Sequence, residues 1–285
     1  MIPTAEYAYE LSLRAALPRL GVEVADLDSF SCCGSPIASV DRSAANYLAL
    51  RNIALGERSG SGTLLVPCNG CYLNLVDAYH HWRSDEKPRA DVDQSLKKEG
   101  LSLKGTCELM HVIDFLHDRI GLEAIRRAVT RPLPGLRLLS HTGCHLLRPS
   151  SLLSVDDPED PKKLDALIRT LGAETLTYPE NLDCCGAGLL LSHPETAMAL
   201  SAAKLKAIQA LGIDGLVVSC PSCHTMYDAK QEAAGKTIGQ VLSVPVMYYT
   251  QLLGLAMGLD QRALGLQLNK SPIDRLVENI SLRRV

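Results

Sequence analysis

The sequence predicts an α/β protein made of two duplicated Rossmann-like units with parallel sheets. Three observations carry this. A cysteine pattern occurs twice in register along the 285 residues. Between the two cysteine groups of each copy the chain reads as an amphipathic helix and then a short β-branched strand. Through the second copy, strands alternate with helices, as a parallel sheet with helical crossovers requires.

The repeat sets the frame. Cys32-Cys33-Gly34 is followed by Cys68-Asn69-Gly70-Cys71, and Cys184-Cys185-Gly186 by Cys220-Pro221-Ser222-Cys223. The glycine precedes the second cysteine pair by 34 residues in both copies, and all five positions are related by one offset of 152.

In chain order, the first copy predicts helices at 13–20 and 43–55 and a buried strand at 63–67 that runs into the Cys-x-x-Cys loop. Residues 82–104 are polar and charged and read as a connector, 107–127 read as helical, and Arg131-Pro-Leu-Pro-Gly135 marks a break. The domain boundary is therefore placed near Pro134, giving 1–134 and 135–285. The second copy predicts strands at 136–141, 174–178, 215–219 and 244–249, and helices at 162–171, 194–211, 224–234 and 250–257. An acidic, proline-rich surface loop at 154–161 has no counterpart in the first copy. The cysteine loops fall at the carboxyl ends of strands, where open α/β sheets place their ligand sites.

Composition narrows the function. Hydrophobic residues are 46% and charged residues 21%, enough for a packed interior and without a disorder signature. A net charge of -3, with one Trp and two Phe, gives neither the basic patch nor the stacking platform of a nucleic-acid binder. No stretch reaches the roughly 20 apolar residues of a membrane span, and the start carries no signal-like pattern, so the expected location is the cytoplasm. Ten cysteines in such a chain read as metal ligands or redox groups rather than disulfides.

Thiolates from separate points suit a soft metal: zinc, cuprous copper or an iron-sulfur cluster. Adjacent cysteines diverge, which fits a polynuclear cluster better than the compact knuckle of a zinc site. In the second copy Cys144, at the end of a predicted strand, joins Cys184, Cys185, Cys220 and Cys223 to make five ligands. The first copy offers four, Cys32, Cys33, Cys68 and Cys71, and the counterpart of Cys144 falls at or before Met1. That site is left open between a cluster and zinc.

The pattern of Cys, then Cys-Cys-Gly, then Cys-x-x-Cys, twice, resembles the CCG-domain family. Cys68-Asn-Gly-Cys71 and Tyr248-Tyr-Thr-Gln-Leu-Leu-Gly-Leu-Ala256 resemble heterodisulfide reductase B subunits. The resemblance implies an oxidoreductase subunit that reduces, or oxidatively forms, a small-molecule disulfide. It implies a noncubane 4Fe-4S cluster on the five C-terminal cysteines and a second 4Fe-4S cluster, or zinc, on the N-terminal four. It also implies two partners, a 4Fe-4S ferredoxin-like C subunit and a flavin-containing A subunit. Related CCG proteins serve thiol-fumarate reduction, glycolate or lactate oxidation and sulfur oxidation, and a zinc-stabilised scaffold is a further alternative.

Around the cysteines, His141, His145 and His224 are candidates to donate to cluster sulfur or to a leaving thiolate, His145 and His224 being the catalytic candidates. Gly34, Gly70, Gly143 and Gly186 are expected to permit tight turns. Cys107 reads as a core residue at a helix start, His111 and Asp114 as a pair on that helix, and His80 and His81 as surface. Lys204, Lys206 and Lys230 read as solvated lysines on helix faces.

Overall fold

The computed structural model describes residues 4–282. In chain order its elements are α1 (Tyr7–Ala16), α2 (Arg42–Ser59), β1 (Thr63–Val66), α3 (Asn69–Ser84), α4 (Glu86–Lys98), β2 (Glu108–His111), the short α5 (Val112–Asp114) and α6 (Leu122–Ala128). There follow β3 (Arg137–His141), α7 (Lys163–Thr170), β4 (Glu174–Thr175), α8 (Pro194–Ala210), β5 (Gly215–Val218), α9 (Pro221–His224), α10 (Gln231–Thr237), β6 (Val246–Tyr248), α11 (Tyr249–Ala256) and α12 (Asp274–Leu282). Among the described residues every strand pairing is parallel, and the α/β class expected of two duplicated units is the class observed.

The chain forms two compact units, interleaved in sequence. The larger takes the stretch ending at Val24, Leu116–Cys144 and everything from Asp156; the smaller takes Ala25–Phe115 and His145–Val155. The division at Pro134 follows the repeat, whereas these units follow packing. The physical reason lies in α1, whose stripe Ala8, Tyr9, Ser12, Leu13 and Ala16 is buried. It packs on α11, where Ser12 Oγ and Thr250 Oγ1 lie 2.6 Å apart.

The larger unit is built on a four-stranded sheet of order β4-β3-β5-β6. β5 and β6 are buried at every position, so Gly-Leu-Val-Val and Val-Met-Tyr run apolar without alternation, as parallel strands covered on both faces do. In the smaller unit β1 pairs with β2 from Thr63↔Glu108 to Val66↔His111. β1 alternates half-buried and buried residues, the pattern of a strand covered on one face.

Three expectations fail. Residues 82–104 are no connector: α3 runs to Ser84 and α4 follows, docked by Leu96, which has no exposed surface, and by the bond from Trp82 Nε1 to Asp93 Oδ1, 3.1 Å. Nor is 107–127 one helix. Glu108-Leu-Met-His is made of residues that tolerate helix, but parallel pairing with β1 draws it into β2, and tertiary pairing overrides local propensity. A π-helical turn, Phe115–Gly121, then leads to α6. In the second copy, 224–234 is likewise divided into α9, a π-helical turn Thr225–Ala229 and α10.

Candidate metal centres

Both Cys-x-x-Cys loops are strand-to-helix junctions of one geometry. Cys68 caps α3 at φ -113, ψ 122 and Cys220 caps α9 at φ -119, ψ 129, which puts Cys71 and Cys223 in the first helical turn, where backbone N–H groups lack intrahelical acceptors. The Cys-Cys-Gly turns match as closely. Gly34 and Gly186 hold φ of 89° and 84°, and their N–H groups donate to Cys32 Sγ at 3.5 Å and Cys184 Sγ at 3.4 Å. A Cβ at Gly34 would sit 2.4 Å from the carbonyl oxygen of Ala45, and one at Gly186 2.6 Å from that of Ala197. Ala45 and Ala197 stand again at the 152 offset.

In the larger unit the thiols touch in a string: Cys144 to Cys184, Cys184 to Cys185, Cys185 to Cys223 and Cys223 to Cys220. In the smaller unit the string runs Cys32, Cys33, Cys71, Cys68. All nine candidate ligand cysteines named from sequence, the eight of the repeat and Cys144, are thus brought into two sets. Among the described residues no three His, Cys, Asp or Glu side chains converge as the ligands of a single ion do. In both sets the first cysteine of the vicinal pair is exposed and the second buried.

Proton sharing divides the thiols. Hydrogen bonds from Cys144 and Cys185, with the Gly186 amide, bring Cys184 down to about 2. The bond to Cys71 lowers Cys33 to about 6. Their partners move the other way, Cys144, Cys71 and Cys223 upward through the same bonds and burial, so each set readily presents thiolate to a cation. Cys107 lies outside both sets, buried, with its pKa raised by burial and by the Glu57 charge.

The surroundings hold more than the sequence suggested. Lys204, expected in solvent, is 1% exposed. Its Nζ lies 2.9 Å from His141 Nδ1, 2.9 Å from the Asn181 carbonyl and 3.2 Å from that of Asp183. Lys206 and Lys230 are exposed, as are His80 and His81. His224 Nδ1 meets Glu6 Oε2 at 2.8 Å, Tyr248 donates to the same oxygen at 2.6 Å, and the His224 and Tyr248 rings stack. His145 is exposed and belongs to the smaller unit, where its ring lies beside Gly70 of the N-terminal loop. His111 ends β2 and caps α5, the short helix that holds Asp114, and its Nδ1 accepts from the Ile113 amide at 3.2 Å. The sequence reading missed Glu6 and Tyr227; for Lys204 the signal was present, since it stands 152 residues from the buried Asn52.

These surroundings fit a group rich in sulfur acceptors. His141 Nε2 and Tyr227 Oη are buried with no hydrogen-bond partner among the described residues, and both sense the charge of Cys184. Two orphan polar groups beside a string of five thiols match a cluster's sulfides, and the donor set is what iron-sulfur chemistry uses.

A thiol string at the carboxyl end of a parallel sheet, built twice in one chain, defines the class as a duplicated cysteine-rich α/β protein. The chain belongs to the CCG cysteine-rich domain family, whose model matches residues 2–76 and 138–228, and within it to the group of heterodisulfide reductase B subunits. It is 36% identical to the B subunit of the ferredoxin:CoB-CoM heterodisulfide reductase of Methanosarcina mazei, over 94% of this chain and 90% of that protein. It is 29% identical to the membrane anchor subunit of the 8-methylmenaquinol:fumarate reductase of Wolinella succinogenes, over 90% of this chain and 89% of that one. A solved structure of a hypothetical protein from Helicobacter pylori shares the fold, with a TM-score of 0.73 at 16% identity over 92% of this chain and 48% of that chain. Among the described residues no helix is long and apolar enough to cross a membrane.

Proposed function

We propose that this chain is the iron-sulfur subunit of a heterodisulfide reductase-like electron-transfer complex. Cys144, Cys184, Cys185, Cys220 and Cys223 hold a noncubane 4Fe-4S cluster, and Cys32, Cys33, Cys68 and Cys71 hold a second cluster or a zinc ion. The observation that carries the reading is the unbroken string of five thiols in the larger unit. Membership in the reductase group supports it.

The substrate is a small-molecule disulfide, and the overall conversion is balanced as RS–SR′ plus two electrons and two protons giving RSH and R′SH. A ferredoxin-like C subunit, fed by a flavin-containing A subunit, provides the electrons in the reductive direction. Bound on these cysteines, iron-sulfur clusters supply the one-electron steps. The chain's own residues hold the thiolates by turn geometry, through Gly34, Gly186 and the helix caps at Cys68 and Cys220. His224, clamped by Glu6, is fixed in orientation next to Cys223. In cells we place the complex in the cytoplasm.

The test is metal and sulfide analysis of anaerobically purified, reconstituted protein, with electron paramagnetic resonance. Iron and sulfide are expected at the C-terminal site, with a second cluster or zinc at the N-terminal one. Stoichiometric zinc with no visible absorption would replace the reading with a zinc scaffold, and zinc at one site only would assign it to the N-terminal four cysteines.

A further inference from the structure

Building on that cluster reading, we infer that Lys204 is a positioning residue that locks His141 with its proton on Nε2, giving the C-terminal centre a fixed imidazole N–H donor and a buried cation where the equivalent position of the first copy holds Asn52.

The tautomer follows from counting hydrogens. A lysine ammonium has three donors and no acceptor. Lys204 Nζ has three neighbours at hydrogen-bond distance: the carbonyls of Asn181 and Asp183, and His141 Nδ1. The carbonyls can only accept; the Asn181 carbonyl also lies within reach of the His141 ring, but an ammonium at 2.9 Å from Nδ1 needs an acceptor there, and the neutral imidazole of this arrangement carries its proton on Nε2. Burial first, and then the Lys204 charge, hold His141 neutral and its pKa well below the ordinary value, against the Asn181 carbonyl and the Cys184 charge, which favour the proton. Burial lowers Lys204 to about 8, while the charges of Cys223, Asp183, Cys185 and Cys184 oppose that loss of charge.

The Nε2–H so fixed has no acceptor among the described residues. A buried N–H left without a partner costs about 1 to 3 kcal/mol, an arrangement that makes sense when the acceptor arrives with a ligand. Tyr227 Oη, whose ring meets His141 edge to face at 5.2 Å, is a second buried group in the same condition. Sulfur in the C-terminal centre, as cluster sulfide or substrate thiolate, is the acceptor chemistry that these donors and the nearby thiols specify.

The duplication supplies the control. Asn52 occupies on α2 the position that Lys204 occupies on α8, 152 residues apart, and both hold the backbone just ahead of the Cys-Cys-Gly turn. Asn52 Nδ2 donates to the Ser31 carbonyl at 3.1 Å and Lys204 Nζ to that of Asp183 at 3.2 Å, again an equivalent pair. The structural task is the same in both copies, yet one uses a neutral amide and the other a cation. Positive charge and N–H donors stabilise the more negative, reduced state of an iron-sulfur centre and raise its potential. Lys204 and His141 therefore raise the potential of the C-terminal centre above what the Asn52 arrangement would give it.

Two measurements on the full-length protein test this. In the metal-free chain, nitrogen NMR of labelled histidines is expected to report His141 as the Nε2–H tautomer at neutral pH; the Nδ1–H form or an imidazolium would overturn the inference. In the iron-loaded protein, Lys204→Asn gives the C-terminal site the residue of the N-terminal one. It is expected to make one of the two centres at least tenfold harder to reduce, about 59 mV for one electron, with the other unmoved. Unchanged potentials at full iron content would sink it. Should Lys204→Asn not fold, His141→Phe removes the same N–H with the lysine in place and is expected to shift the potential the same way. If wild-type protein takes up no iron at all, the cluster reading falls, and the tautomer measurement still decides whether Lys204 sets the state of His141.

Discussion

Gly186 lies so close to Ala197 that a single added methyl group would stand 2.6 Å from the alanine carbonyl oxygen. Gly186→Ala is expected to be severe, because the residue also holds φ of 84°, where an L side chain costs about 1 to 2 kcal/mol before any clash. The turn must move, carrying Cys184 and Cys185 with it. A lower melting temperature and loss of metal from the C-terminal centre alone are the expected outcomes, read by thermal scanning and metal analysis; Gly34→Ala should do the same at the N-terminal site. Wild-type metal content in both variants would show the close approach to be dispensable.

Glu6 is a buried carboxylate held by His224, Tyr248 and Thr225. Burial pushes its pKa up, but the hydrogen bonds and the His224 charge outweigh burial and leave it below its ordinary 4.5. A carboxylate with a depressed folded-state pKa adds stability above its unfolded value, and that stability is lost as pH falls through the folded one. Glu6→Gln is expected to cost about 2 kcal/mol near neutrality and to flatten the loss of stability below pH 4.5. Denaturant titrations across pH check both, and parallel pH curves for the two proteins would contradict the assignment.

Trp82 is the single tryptophan of the chain, and its indole N–H is held by Asp93 of α4. Asp93→Ala is expected to lower the midpoint of the fluorescence transition by an amount equivalent to about 1 kcal/mol, with a red-shifted native emission. The C-terminal centre should be untouched, since Trp82 and Asp93 both lie in the smaller unit.

Cys144 ends the string of five thiols and shares its proton with Cys184. Under the proposed function, Cys144→Ser removes one ligand of the C-terminal cluster. Iron analysis and paramagnetic resonance are expected to show one centre lost or altered and the other intact. Simultaneous loss of both would argue that the two sites do not load independently.

What was most readable in the sequence was whatever the duplication repeats. The Cys-Cys-Gly turns, the Cys-x-x-Cys loops, β1, β5, α2 and α8 each left two copies in register, and agreement between copies stands in for packing information. Beyond the repeat, β3, α7, β6 and α11 were still legible from the alternation of strand and helix, whereas β2, α4, Lys204 and Glu6 were misread or missed, and for physical reasons. β2 is a strand because β1 lies beside it, a fact its own residues do not state. α4 buries little apolar surface beyond Leu96, so its composition looked like a connector. Lys204 looked solvated because lysines usually are, and only three well-placed acceptors make its burial affordable. Glu6 gave no signal at all, since its partners are separated from it by 218 to 242 residues.

That last distance has a kinetic meaning. The bond between Ser12 and Thr250 spans 238 residues, so α1 has no surface to dock on until the α11 sequence has left the ribosome. Non-local pairing of this kind slows folding and leaves partly folded chains exposed. α1 pairs with α11 only once the 238 residues separating Ser12 from Thr250 have been made, and Glu6, which is bonded to His224 next to Cys223, travels with it. The surroundings of the C-terminal thiols thereby depend on the arrival of α11.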